Sequence, residues 1–159
     1  MHFLKETYRR VDTPFLRHLL FWVVIFVFHI ITSSRALYSS VWHLVGVMAV
    51  MTVLQVVVAY VTLNFLIPKF LDKKRTIVFG LLLTALLVLA TTGYHTAKYY
   101  YFEPTYPQSY AWQFEKFGYL SVPERLADLS TTASKSVFFF SPTVLLLLFQ
   151  FYRNQQRLA

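Results

Sequence analysis

Four long stretches of the chain are almost free of polar residues: Phe15 to Thr32, His43 to Ile67, Ile77 to about Tyr94, and about Ser134 to Tyr152. A hydrocarbon core about 30 Å thick is crossed by about 20 residues of helix rising 1.5 Å each. Each stretch is close to that length. The second is rich in Val and Ile, which favour strands in water. In lipid a lone strand leaves its backbone N–H and C=O groups unsatisfied, so a helix is the expected form. The pattern predicts an all-α, polytopic membrane protein: one domain over residues 1–159, with four transmembrane helices in a bundle. For the first stretch a cleavable signal peptide is the alternative, with small residues at Ser34 and Ala36. Against it, the apolar run exceeds a usual signal core and is preceded by a long polar segment.

The connections differ in kind. In VTLNFLIPKFLDKKR, Val61 to Arg75, the apolar run meets Pro68 and then five charged residues. Proline lacks an N–H and restricts the residue before it, so helix two is expected to stop near Ile67 and turn tightly. Residues 95–133 form the long connection, with ten aromatics between Tyr99 and Tyr119. Pro104 and Pro107 are expected to break any helix there. Tyr and Trp favour the headgroup level, ring apolar and tip wet. This segment is expected to lie on the bilayer surface or fold back over the bundle mouth. Ser121 followed by Glu124 is a capping box, opening a helix that can run on into the fourth span.

Composition sharpens the picture. Apolar types are 57% of the chain and charged types 14%, against about 25% charged in soluble domains. Too few charges exist to cover a water-facing exterior. There is no cysteine, hence no disulfide and no thiolate chemistry. The net charge of +8 comes with no groove-reading motif, so no nucleic-acid partner is expected. Its distribution suits a membrane. With the N-terminus inside, inner segments hold Lys5, Arg9, Arg10, Arg17, Lys69, Lys73, Lys74, Arg75, Arg153 and Arg157; outer ones hold Arg35, Lys98, Lys116, Arg125 and Lys135. Basic residues resist translocation, so both termini are expected in the cytoplasm.

No Asp, Glu, Lys or Arg lies in the middle of a span, which argues against a proton pump, a charged ion path or an intramembrane hydrolase. No catalytic set, cofactor or metal is expected. Gln55 shares a helical face with Met48, Thr52, Ala59 and Thr62, a composition typical of membrane helix seams. Packing within the bundle is the main reading for Gln55; a ligand or dimer contact is the other. Tyr60 and Asn64 lie on the opposite face with Gly46, Val53 and Val57. They are four apart and able to touch, and Asn64 is expected to hydrogen-bond a neighbouring helix. In the aromatic loop Tyr99, Tyr106 and Trp112 are candidate packing or ligand contacts. His29, His43 and His95 fall near one face, where three imidazoles suit Zn²⁺ or Cu²⁺. No paired histidine spacing supports that, and interfacial histidines without a ligand role are preferred. Pro142, inside span four, is either a fixed kink or a hinge. Beyond it Val144, Leu148, Phe151, Gln155 and Leu158 keep a heptad-like spacing, the expected start of a cytoplasmic helical linker over 152–159.

The four-span layout and AYVTLNFLIPKFLDKKR, Ala59 to Arg75, resemble the membrane region of LytS/YehU-type bacterial sensor histidine kinases. The likeness is to the Bacteroidetes-like members that act with LytTR response regulators. Tyr60, Asn64, Leu66, Ile67, Pro68, Lys69, Phe70 and Leu71 carry the pattern, and FYRNQQRLA resembles the linker toward the kinase core. The resemblance implies an inner-membrane location, homodimerisation and signalling to a cytoplasmic kinase core or response regulator. The phosphoacceptor segment and the ATP-binding boxes are absent from this chain, so it is expected not to be an enzyme. The function expected is that of a membrane sensor module, with lipids as its surroundings. A non-sensory membrane protein is the alternative, either an assembly subunit or a small transporter or channel. An outer-loop catalytic site of Glu103, Glu115 and His95 is a distant third.

Overall fold

The structure, a computed structural model, describes residues 14–71 and 73–158. The basic N-terminal residues counted above, Lys5, Arg9 and Arg10, lie outside it. Helix α1 spans Pro14–Thr32, and a single 3₁₀ turn, Arg35–Leu37, follows. Helix α2 starts at Val41, where the Ser40 side chain accepts the His43 backbone N–H at 3.1 Å. This is an N-cap: it satisfies one of the backbone donors that a first turn leaves free.

Pro68 does not end α2. The α-helical part, Val41–Val61, passes directly into a wider helix, Thr62–Leu71, with Pro68 inside it. The i→i+5 bonding of a π-helix changes which groups face the proline ring, so the missing N–H is absorbed without a break. The reversal comes later. Lys74 donates its N–H to the Leu71 carbonyl at 3.0 Å and Arg75 to that of Phe70 at 2.8 Å, with Lys74 at φ 59°.

Helix α3, Thr76–Ala97, repeats the device. It widens over Lys98–Phe102 and regains α geometry over Glu103–Thr105. Pro104 therefore lies within helical structure, contrary to the expected break. The break falls at Tyr106, and Pro107 opens α4, Pro107–Phe117, as a first-turn proline. That position needs no N–H. Gly118, at φ 71°, ends α4 in a conformation that side chains disfavour. The capping box forms at Ser121 and Glu124 and starts α5, Val122–Ala127. This helix does not run on into the fourth span. Asp128 interrupts it at ψ 94° and caps α6, Leu129–Leu158, accepting the N–H groups of Ser130 and Thr131 at 3.1 and 3.3 Å.

The described residues form helices joined by short turns, with no strand among them. Four helices are long and apolar enough to cross a membrane: Phe15–Thr32, Val41–Leu71, Thr76–Thr105 and Leu129–Tyr152. Helix α2 touches α1, α3 and α6 and supplies most of the buried interior. Leu44, Val47, Met48, Met51 and Val58 pack with Ala90 and Tyr94 of α3, Phe139 of α6, and Phe102 and Tyr110 above them. The face of Met48, Thr52, Gln55, Ala59 and Thr62 is buried throughout, while Val53, Val57 and Asn64 across the helix are exposed. Gly46 permits a close approach here, since a Cβ on it would lie 3.2 Å from the Phe102 ring. Large apolar side chains such as Ile31, Ile77, Leu81 and Leu89 remain exposed, a surface that water penalises and hydrocarbon accepts.

Candidate functional site

Polar side chains inside the helices gather in few places. One is a node around Phe138. In a regular helix the Phe138 carbonyl accepts the N–H of residue 142, but that residue is Pro142 and has none. Gln55 of α2 supplies the missing donor: its Nε2 reaches the Phe138 carbonyl at 3.1 Å, and Ser141 Oγ adds a second at 2.9 Å. Gln55 Oε1 lies 3.0 Å from His29 Nε2 of α1, so the imidazole donates from that nitrogen. Three helices thus meet at one amide. Gln55 and Pro142 are both fully buried, where an unpaired carbonyl or amide costs about 1–3 kcal/mol. Gln55 and Pro142, singled out separately from the sequence, act on the same carbonyl.

Nearer the ends that carry the aromatic segment, α4 folds back over the helices. The buried His43 lies between Tyr106, stacked at 4.2 Å between centroids, and Tyr38, edge-on at 5.1 Å. Ser109 Oγ accepts the Ser39 N–H at 2.9 Å and sits 3.3 Å from His43 Nδ1. Its proton is thereby free for Nδ1, and His43 Nε2–H donates to the Tyr110 hydroxyl at 2.9 Å. Burial pushes the Tyr110 phenol well up from its ordinary value. It also raises Tyr38, with Ser33 opposing. Both stay neutral, as hydrogen-bonding rather than charged groups.

A charged cluster stands beside this cap. The buried Glu103 accepts two bonds from the Arg125 guanidinium, at 2.6 and 2.9 Å, a bidentate pairing of the strong kind. Arg125 Nε also donates to the Leu120 carbonyl at 2.9 Å, and its guanidinium lies 5.5 Å from the Tyr99 ring centre. Lys98 donates to Gln113 Oε1 at 2.8 Å and sits 3.9 Å from Glu103. These bonds tie α4 and α5 to the far end of α3. A half-open pocket of about 220 Å³ lies beside them with His95 among its lining residues, although both ring nitrogens of His95 are themselves buried and, among the described residues, unpartnered.

The other sequence candidates are placed differently. The Tyr60 hydroxyl lies 2.9 Å from His18 Nδ1 and 3.4 Å from Trp22 Nε1, both on α1. Asn64 is exposed, as its place opposite Gln55 implies, but among the described residues it makes no side-chain bond to a neighbouring helix. Trp112 is half exposed on α4. Glu103, with both oxygens on Arg125, is no free acid, and Glu115 is exposed. Among the described residues no three His, Asp or Glu side chains gather as a metal site. Sequence reasoning missed the pairing of His29 with Gln55 and that of Glu103 with Arg125. The first was accessible through the residue four before Pro142; the second, across 22 positions, left no local signal.

In comparisons with known proteins, no family model, curated protein or solved structure matches the chain.

Proposed function

We propose that the chain is a four-helix membrane bundle with both termini cytoplasmic, serving as the input module of a signalling protein. It sits in the inner membrane of a bacterium, works as a homodimer, and has no catalytic activity of its own. A stimulus acts at the aromatic cap, and α6 carries it to a cytoplasmic kinase core or response regulator. The observation that supports this most is the Phe138 node. Helix α6 begins beside the cap, at Asp128, and runs unbroken to Leu158. At Pro142 the Phe138 carbonyl is held by two side chains, Gln55 of α2 and Ser141, in place of a backbone N–H. A proline with an exchangeable side-chain donor permits two arrangements differing by one hydrogen bond. An allosteric coupling of about 1–3 kcal/mol is of that size. The exposed positions Val144, Leu148, Phe151 and Gln155 offer a seam for a second copy.

The alternative is an assembly subunit of a larger membrane complex. It is favoured by the apolar outer faces of α1 and α3, which a partner covers as readily as lipid. Three measurements decide. Lys73→Cys in intact cells resists an impermeant thiol reagent under the proposed orientation; labelling from outside removes it. Pro142→Ala, in a fusion of residues 1–159 to a histidine-kinase core, is expected to abolish the stimulus-dependent change in phosphorylation. An unchanged response removes α6 as the carrier. Purification in fixed stoichiometry with other membrane chains favours the subunit reading.

A further inference from the structure

Every described carboxylate, Glu103, Glu115, Glu124 and Asp128, belongs to the aromatic connection and the segments around it. Cations there are matched: Arg125 and Lys98 both meet Glu103. The hairpin between α2 and α3 is different. Lys69, Lys73, Lys74 and Arg75 are all exposed there, and Asp72 is the one acid in the sequence between them. Among the described residues none of these four cations has an ion-pair partner.

The backbone gathers them at one end of the helices. Arg75 donates its N–H back to Phe70 and Lys74 to Leu71, which locks the end of α2 to the start of α3. Lys69 is held over two rings, its Nζ 4.7 Å from the centre of Phe65 and 5.8 Å from that of Phe70. A lysine so placed keeps its stem in apolar surroundings and its ammonium at the polar boundary. Right beside the cations the surface turns apolar. On α3 Ile77 is 79% exposed and Leu81, one turn further on, 69%; Phe65 and Leu71 of α2 are exposed as well. Gly80 leaves that face open, since a Cβ on it would meet nothing within 4 Å.

Cations alone suit any anion, and an apolar face alone suits any hydrocarbon. The two in direct succession along α3 complement a molecule that joins them, a phosphate carried on acyl chains. Arg75 can give a phosphate two parallel hydrogen bonds, and lysines clustered at the end of a spanning helix attract anionic headgroups. A free phosphate leaves Ile77 and Leu81 uncovered, and so does an acidic protein segment held at the polar boundary.

We infer that the hairpin at 69–75, with the adjoining face of Ile77 and Leu81, is a binding site for an anionic glycerophospholipid. Its phosphate accepts from Arg75, Lys73 and Lys74, and its chains lie along Ile77 and Leu81. The site depends on α2 and α3 crossing a membrane and not on a signalling role or a second copy.

The test uses the full chain in a neutral detergent, mixed with equimolar phosphatidylglycerol and phosphatidylcholine of identical acyl chains, with bound lipid counted by native mass spectrometry. Phosphatidylglycerol is expected to be the first lipid bound by a ratio of at least about tenfold, the scale of a few basic residues acting on one headgroup. Raising the salt from about 0.05 to about 0.5 M is expected to cut that ratio severalfold, because exposed charges are screened. Replacing the three turn cations together, Lys73→Gln, Lys74→Gln and Arg75→Gln, is expected to bring it within about twofold of unity. Lys116→Gln, an exposed cation of α4, is expected to leave it unchanged. Glycerol phosphate, the same head group without chains, and hexaglutamate are expected not to displace the lipid at equal concentration. Should the triple variant fail to fold, the salt series and the two competitors on the unaltered chain decide. Equal binding of the two lipids, a ratio indifferent to salt, or a ratio that survives the triple variant overturns the site. An equal loss in Lys116→Gln overturns it in favour of net charge, displacement by glycerol phosphate in favour of a free-phosphate site, and displacement by hexaglutamate in favour of an acidic protein partner.

Discussion

The two ends of the helices solve the same problem, a proline near the end of an apolar run, with different surroundings. At the basic end Pro68 lies in the widened turn of α2, exposed, with Lys69, Lys73 and Lys74 around it. Among the described residues its contacts include Tyr60 with His18 and Trp22, and Lys69 over the Phe65 ring at 4.7 Å. At the aromatic end Pro104 is exposed too, in the α-helical turn Glu103–Thr105 that follows the widened stretch Lys98–Phe102, and the segments around it are tied by polar contacts. Glu103, Arg125, Lys98, His43 and Tyr110 are bonded across four segments. A widened stretch beside the proline is thus common to both, as is polar pairing between remote residues, but the buried bidentate pair of Glu103 and Arg125 belongs to the aromatic end.

The sharpest way to break this contrast is to cut the network at its charged pair. Arg125→Ala leaves Glu103 buried without its bidentate partner, a loss of about 3–5 kcal/mol. Thermal unfolding in detergent is expected to show a single large drop in midpoint, whereas Lys73→Ala at the basic end leaves the midpoint within error. Equal effects at the two ends would erase the distinction.

A smaller effect tests the node between them. Gln55→Leu strips the Phe138 carbonyl of one donor and His29 of its acceptor, at about 1–3 kcal/mol. In a Pro142→Ala background the backbone N–H returns to Phe138, so the same substitution is expected to cost less. A double-mutant cycle on unfolding free energies reads the difference, expected at about 0.5–1 kcal/mol. Additivity would show that Gln55 and Pro142 do not share the carbonyl.

The smallest effect lies at the rim of the cap. Hydrogen bonds from Ser121 hold the Glu124 carboxyl below its ordinary value, and those from Thr131 do the same for Asp128. Depressed folded values mean stabilisation that is present above the ordinary carboxylate range and lost as pH falls below it through the folded values. Amide exchange in α5 and the first turn of α6 is therefore expected to accelerate on acidification below about pH 4. Ser121→Ala and Thr131→Ala are expected to flatten that dependence, with exchange along α2 unaltered.

Much of this molecule follows from sequence because lipid-spanning helices satisfy their own backbone. Length and apolarity suffice to name Phe15 to Thr32 or Ile77 to Tyr94 as helical, without knowledge of any neighbour. The buried face of Gln55 follows from the 3.6-residue period, and the capping box at Ser121 from chemistry three residues long. Residues whose outcome depends on a distant partner were misplaced or missed. Pro68 and Pro104 are stops only under rules that allow no proline inside a helix; the structure keeps Pro68 in a widened turn and Pro104 in the first turn of a resumed α segment. Glu103, a remote catalytic candidate by sequence, is taken up by Arg125 from 22 residues away.

The chain by itself determined four apolar helices, a basic hairpin and an aromatic connection, because those depend on local periodicity and on the price of unsatisfied backbone in oil. Only the tertiary structure decided that Gln55 serves Phe138, that Arg125 neutralises Glu103 and that His43 is bonded to Tyr110. Hydrogen bonds between remote residues are set by where packed helices bring them, and no local pattern encodes that distance.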